Sequence, residues 1–230
     1  VRPCCCVPRR TDRDSMKQNW THWYLLTMLG VFPLWLGWEG YGNLTMQKYA
    51  FFAAVTALWL VGLVVLTGWE ALRPAHRHAG RWCVLALMAG LCLSALCSPY
   101  RAEAIIGPSR YDGLFTWLLY GGIFLGVSAY GRLRQSYAWV LALSGTVNGV
   151  IAVIQLLGCN CLWLFPNART FYDSGVYYTG EFLGLIGNTD LLAAFFCLVI
   201  PVCFGMFLVF GGGRGTAFLL PGGLCLFVLL

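Results

Sequence analysis

Charged side chains are scarce in this chain. They make up 10% of its 230 residues, and only 9 of them are acidic. Because soluble globular domains contain about 25% charged residues, this scarcity excludes an ordinary water-soluble fold. The net charge is +6, yet no basic cluster is interleaved with stacking aromatic residues, as a binder of single-stranded nucleic acid requires. We therefore expect no nucleic-acid partner.

Histidine is also rare, and its rarity argues against a metal site. The three histidines are His22, His76 and His78. Most of the 11 cysteines lie inside apolar stretches, where cysteine acts as a small apolar residue. Cys159 and Cys161 are separated by one residue, which differs from the spacing of zinc ligands, and no histidine lies near them. We expect neither a metal ion nor another cofactor.

Apolar residues are abundant: 59% of the chain is hydrophobic, and the mean hydropathy is +0.71. A helix that crosses a bilayer needs about 20 such residues, within a range of ~17–25. Seven apolar stretches reach or approach that length. They predict an all-α, polytopic integral membrane protein with about seven transmembrane helices, at 22–38, 49–69, 82–97, 114–130, 138–158, 189–210 and 216–230.

The basic residues predict which side of the membrane each connection faces. Lys and Arg are enriched in cytoplasmic connections, and here 11 of the 15 lie before the first stretch or in alternate connections after it. Residues 1–21 are therefore expected to be a cytoplasmic segment, and residues 22–230 a multi-pass domain. The four basic residues on the opposite, outer side are Lys48, Arg101, Arg110 and Arg169.

Both ends of the chain suggest a piece of a longer protein. Met16 directly precedes the first apolar stretch and is a possible true start. The last residues, 226–230, are apolar and carry no interfacial anchor, although a spanning helix usually has one at each end. We expect the domain at 22–230 to be truncated at its C-terminus.

Two long outer connections, 98–113 and 159–188, contain the candidate binding residues. Arg101, Arg110 and Arg169 oppose the usual charge bias of translocated loops. Guanidinium groups bind phosphates through paired hydrogen bonds, so these arginines are candidates to bind an anionic, lipid-linked substrate. The alternative is a local ion pair, such as Arg110 with Asp112 or Arg101 with Glu103.

Polar residues around the sixth stretch have two interpretations each. Asn188 can cap the start of that helix, and Asp190 can complement its dipole; alternatively, both contact a substrate. Asn148 and Gln155, seven residues apart in the fifth stretch, place two amides on one helix face. They either line a cavity or bond to a neighbouring helix.

Two motifs carry a family resemblance. Residues 109–114 read SRYDGL, and residues 184–195 read GLIGNTDLLAAF, followed by a proline within the helix. Over residues 98–210 the chain resembles the N-terminal half of the O-antigen ligase and O-antigen polymerase-like family. In that family a Gly-Asn-x-Asn/Asp segment opens a membrane helix, and the matching positions here are Gly187, Asn188, Asp190, Ala193 and Pro201.

The resemblance implies a glycosyl transfer enzyme of the bacterial plasma membrane. Such enzymes move a glycan from an undecaprenyl-diphosphate carrier to a cell-envelope glycan or glycolipid acceptor, at the outer face and without a metal ion. The family's proposed base is a histidine in a later outer loop, so no catalytic residue is assigned here, and the chain alone is expected to be inactive. The substrate-binding residues implied are Arg101, Arg110, Asp112, Arg169, Asn188 and Asp190.

Two other classes stay open. A fragment of a transporter or permease would use Asn148, Gln155 and broken helices at the bilayer midplane, and would show an inverted repeat between its halves. We find no internal repeat in 16–230. A structural or sensory membrane subunit is the second alternative, and the arginines of the long outer connections argue against it.

Overall fold

The computed structural model describes residues 12–67, 79–108, 110–165, 170–179 and 182–230, and within them the chain is mostly helical. The elements in chain order are α1 (Asp12–Leu26), a π-helical turn (Thr27–Val31), α2 (Phe32–Leu34), α3 (Leu44–Thr67), α4 (Ala79–Cys97), α5 (Arg101–Ile106), α6 (Leu114–Tyr130), α7 (Gln135–Leu156), a 3-10 turn (Cys161–Trp163), β1 (Thr170–Asp173), β2 (Val176–Thr179), α8 (Thr189–Phe210), α9 (Gly212–Thr216) and α10 (Leu219–Leu229).

Long apolar helices dominate the described part of the chain. Five segments are long and apolar enough to cross a membrane, and α6 is a shorter apolar helix of 17 residues. A mostly helical, multi-pass membrane character is thus supported, while the count of seven spans and the truncation stay predictions. The five segments are Leu44–Leu66, Ala79–Cys97, Gln135–Leu156, Thr189–Phe210 and Gly212–Leu229.

The first helix differs from the predicted stretch at both ends. It begins at Asp12, so the expected boundary between residues 21 and 22 falls inside α1. The π-helical turn and α2 continue α1 without a break, and this first helical segment ends at Leu34 rather than at residue 38, because Trp35 takes an extended conformation with ψ at 122° and the chain then turns. The part of the N-terminal segment before Asp12 lies outside the described residues.

A β-hairpin in the connection before α8 contains the two β-strands of the described residues. β1 and β2 pair antiparallel from Thr170 with Thr179 to Asp173 with Val176. Ser174 and Gly175, with φ of 51° and 87°, form the two-residue turn between them. Positive φ at both turn positions is the geometry that matches the twist of a hairpin.

Several glycines lie at close contacts between the long helices. A Cβ atom added to Gly126 of α6 would lie 2.6 Å from Trp59 of α3. One added to Gly145 of α7 would lie 2.8 Å from Val199 of α8. The glycines at 122, 126, 145 and 149, which form two pairs spaced four residues apart, therefore lie at helix contacts.

The helices have two ends with different polar contacts. At what we call the hairpin end, the Thr45 hydroxyl at the start of α3 donates to the carboxylate of Asp173 at 2.5 Å. At the opposite end, the Arg134 guanidinium donates to the Asn19 side-chain oxygen at 3.3 Å. The two contacts lie at opposite ends of the helices, which agrees with the predicted alternation of outer and cytoplasmic connections. A cytoplasmic N-terminus remains a prediction.

Candidate functional site

The loop at residues 182–188, which precedes α8, enters the helical bundle from the hairpin end. The Leu185 N–H donates to the side-chain oxygen of Asn148 at 2.8 Å. Asn148 lies eight residues before the last residue of α7. At a rise of 1.5 Å per residue, the loop therefore reaches about 12 Å below the end of α7. We call residues 182–188 the re-entrant loop.

Gln155 and Tyr41 hold the upper part of the re-entrant loop. The side-chain oxygen of Gln155 accepts hydrogen bonds from the N–H groups of Leu183 at 2.8 Å and Gly184 at 3.0 Å. The Gln155 amide donates to the Tyr41 hydroxyl at 2.6 Å, and that hydroxyl donates to the Gly184 carbonyl. Tyr41 and Gln155 are buried. Their side chains supply hydrogen-bond partners to backbone groups of the loop that water cannot reach.

Glycine is required at position 184. Its φ is +56°, a left-handed conformation that favours glycine. A Cβ atom there would lie 3.0 Å from the Asn148 side-chain oxygen. The chain can therefore pass close to α7 at this point and reach both amides.

The hydrogen-bond partner of the Asn148 and Gln155 side chains differs from both interpretations drawn from the sequence. Asn148 and Gln155 were expected either to line a cavity or to bond to a neighbouring helix. Instead, both bond to the backbone of the re-entrant loop, and Asn148 also donates to the Ser144 carbonyl of its own helix at 3.0 Å. The reason is that a loop, unlike a helix, leaves its N–H groups without internal partners.

A cleft of about 210 Å³ lies between the hairpin, the re-entrant loop and the start of α8. Asn188 caps α8, because its side-chain oxygen accepts from the Leu191 N–H at 3.1 Å, which agrees with the first of its two interpretations. Asp190 lies in the first turn of α8 and is exposed. The residues that line the cleft are Phe171, Tyr178, Thr179, Leu183, Gly187, Asn188, Thr189 and Asp190.

Arg101 and Arg110 lie in the other long connection at the hairpin end. Arg101 is the first residue of α5, and both arginines are exposed. Within the described ranges the structure shows no ion pair between Arg101 and Glu103 or between Arg110 and Asp112.

Tyr111 fixes this connection against the long helices. Its ring stacks on Tyr49 of α3 with centroids 4.5 Å apart and an interplanar angle of 7°. Its carbonyl accepts from the Thr116 hydroxyl at 2.5 Å. Because Tyr49 lies one turn from Thr45, Arg110 and the exposed Asp112 next to Tyr111 lie at the hairpin end.

The predicted site residues thus fall into two groups. Asn188 and Asp190 share the cleft, whereas Arg101, Arg110 and Asp112 do not line it; Arg169 lies outside the described residues. Sequence reasoning did not find Tyr41, which no local pattern marks. It also did not place the aromatic residues Phe171 and Tyr178 beside Asn188. In the part of the chain that the structure describes, no three His, Cys, Asp or Glu side chains are grouped so that they could hold a metal ion.

Comparison with known protein families, with curated proteins and with solved structures found no match for this chain.

Proposed function

We propose that this chain is the N-terminal membrane portion of a bacterial glycan ligase or polymerase. The complete protein would transfer a glycan from an undecaprenyl-diphosphate carrier to a cell-envelope glycan or glycolipid acceptor, at the outer face of the plasma membrane. The sequence resemblance over residues 98–210 supports this proposal. The proposal depends on substrate-binding residues of this chain, because the catalytic groups implied by the resemblance lie in a later loop.

The observation that carries the proposal is the pair of exposed arginines at the hairpin end. Neither Arg101 nor Arg110 has an acidic partner among the described residues. Translocated connections are depleted in basic residues, so two unpaired guanidinium groups there favour an anionic ligand. A diphosphate is the fitting ligand, because a guanidinium donates two parallel hydrogen bonds to phosphate oxygens.

The transporter alternative has weaker support. It would place Asn148 and Gln155 along a substrate path near the bilayer midplane. Their oxygens already accept hydrogen bonds from the re-entrant loop, and Gln155 also donates to Tyr41. A path lined by these amides would have to break those bonds.

The experiment is complementation in the bacterium that carries the gene, with the complete protein. Deletion should cause undecaprenyl-diphosphate-linked glycan to accumulate. Arg110→Ala should fail to restore transfer, because loss of a desolvated charge contact costs several kcal/mol, against about 0–1 kcal/mol for a surface pair. Arg110→Lys keeps the charge and should restore part of the activity.

Arg132→Ala is the matched control, since Arg132 is an exposed arginine at the opposite end of the helices. It should restore wild-type transfer at wild-type protein abundance. The proposal would be refuted if the deletion left the lipid-linked glycan pool unchanged. If Arg101→Ala and Arg110→Ala both transfer glycan as wild type does, the hypothesis that these arginines bind the diphosphate is wrong.

A further inference from the structure

We propose that the cleft between the hairpin and α8 binds one sugar ring through its hydroxyl groups, apart from the arginines that hold the diphosphate. This inference rests on the proposed function and deepens it. It assigns the cleft to the glycan and the connection at 98–113 to the phosphate groups.

Polar groups without partners converge on the cleft. The Asn188 side-chain oxygen is used by Leu191, which leaves the amide N–H₂ free to donate. In the described part of the chain, the Asp190 carboxylate and the hydroxyls of Thr179 and Thr189 also have no hydrogen-bond partner. Donors and acceptors together suit a polyol, whose hydroxyl groups both donate and accept.

The charge of the cleft argues against phosphate. Among the described residues that line the cleft, Asp190 is the one carboxylate, and none is Lys or Arg. A carboxylate repels a phosphate and offers it no proton, whereas it accepts strong hydrogen bonds from neutral hydroxyl groups. The described lining thus favours a neutral polar ligand over phosphate, in contrast to the two exposed arginines, Arg101 and Arg110.

Aromatic side chains supply an apolar wall. Phe171 is buried, and its ring stacks on the half-buried Tyr178 with centroids 5.6 Å apart and an interplanar angle of 23°. A sugar ring has C–H groups on its faces and hydroxyl groups at its edge, so it can contact an aromatic wall and polar groups at once. Its volume of about 210 Å³ is below the ~300–1,000 Å³ of sites for drug-sized ligands and suits a single ring.

Both walls of the cleft are held in place before any ligand binds. The re-entrant loop is fixed by Gln155 and Asn148. The hairpin is fixed to α3 by Asp173, whose carboxylate accepts from the Thr45 N–H at 3.1 Å and from its hydroxyl at 2.5 Å. Such preorganisation reduces the entropy lost on binding.

Binding is tested on the purified full-length protein in nanodiscs by ligand-observed saturation-transfer NMR. The probes are a neutral hexose, an N-acetylhexosamine and the glycan released from the source envelope by mild acid, with inorganic phosphate followed by phosphorus NMR. At least one sugar probe should receive saturation. Its affinity should fall about tenfold in Asp190→Ala, because a hydrogen bond to an ionised group is lost.

Glu103→Ala is the matched control, since Glu103 is an exposed carboxylate of α5 outside the cleft. It should bind the sugar as wild type does. Tyr178→Phe keeps the ring and should retain most of the affinity, whereas Tyr178→Ala should lose it. Unchanged melting temperatures would show that these variants are folded, and phosphorus NMR should show no phosphate signal that depends on Asp190.

The outcomes separate this inference from the proposed function. If no sugar probe binds, or if Asp190→Ala binds the sugar as wild type does, the sugar cleft is refuted, while the deletion and Arg110 phenotypes still decide the transfer activity. If a sugar binds but the deletion strain processes its lipid-linked glycan normally, the enzyme proposal fails and the cleft remains. Phosphate binding that Asp190→Ala strengthens or weakens would overturn the assignment of the cleft to neutral sugar.

Discussion

Replacing Gln155 by leucine should release the re-entrant loop without unfolding the long helices. The substitution removes three hydrogen bonds: two accepted from Leu183 and Gly184, and one donated to Tyr41. Side-chain hydrogen bonds in membrane proteins contribute about 0.6 kcal/mol on average and up to ~1.7 kcal/mol each. We therefore expect a loss of about 2–5 kcal/mol in the free energy of unfolding.

The assay combines thermal unfolding in detergent with hydrogen exchange measured by mass spectrometry. A loss of that size corresponds to a melting temperature about 4–20 °C lower for a chain of this length. Peptides that cover residues 182–188 should exchange faster, and peptides from the middle of α8 should not. Thr146→Val, on the same helix, removes only a bond to the Ala142 carbonyl of its own helix and should change little.

A double-mutant cycle tests whether the contacts act as one unit. Tyr41→Phe leaves the Gly184 carbonyl and the Gln155 amide without their shared partner. Since both variants break the bond between Tyr41 and Gln155, their combined effect should be smaller than the sum of the single effects. Unchanged exchange at 182–188 in Gln155→Leu, together with an unchanged melting temperature, would refute the role of this side chain.

Two further predictions concern topology and packing. In a background without the native cysteines, Tyr177→Cys at the hairpin should react with a membrane-impermeant thiol reagent in intact cells, and Leu133→Cys should not; their side chains are 77% and 100% exposed. The reverse labelling would overturn the predicted orientation and place the hairpin end in the cytoplasm. Gly145→Leu should lower stability by about 1–3 kcal/mol through overpacking against Val199, whereas Gly205→Leu, with open space around Gly205, should not. Equal melting temperatures for the two leucine variants would contradict the proposed close contact.

Sequence reasoning located the long helices well where their boundaries are chemically sharp. The predicted stretches 114–130 and 189–210 agree with α6 and α8 at both ends. Gly113 precedes the first, and Asn188 and Gly211 bound the second. The first helix was placed less well, because its apolar stretch continues into the extended Trp35 beyond Leu34. Apolar composition alone does not show where a backbone stops being helical.

The sequence around the hairpin contains a local pattern that could have predicted it. Ser174 and Gly175 stand between two short runs of aromatic and β-branched residues, which is a typical hairpin pattern. The contact between Tyr41 and Gly184 had no such signal, since 143 residues separate them. The helix cap at Asn188 could be predicted because it depends on neighbours three residues away, whereas the fixation of the loop depends on three distant segments.

The depth of the re-entrant loop is itself an argument that the hairpin end has a function. Irregular backbone inside a membrane protein needs protein partners for its polar groups, and it is found where it is buried in protein or lines a cavity. Here Gln155 and Asn148 supply those partners. A simple turn above the bilayer would connect α7 to α8 without burying two amides. The loop instead forms one wall of the cleft at Asn188 and Asp190, so the buried hydrogen bonds hold in place the polar groups that we assign to the glycan.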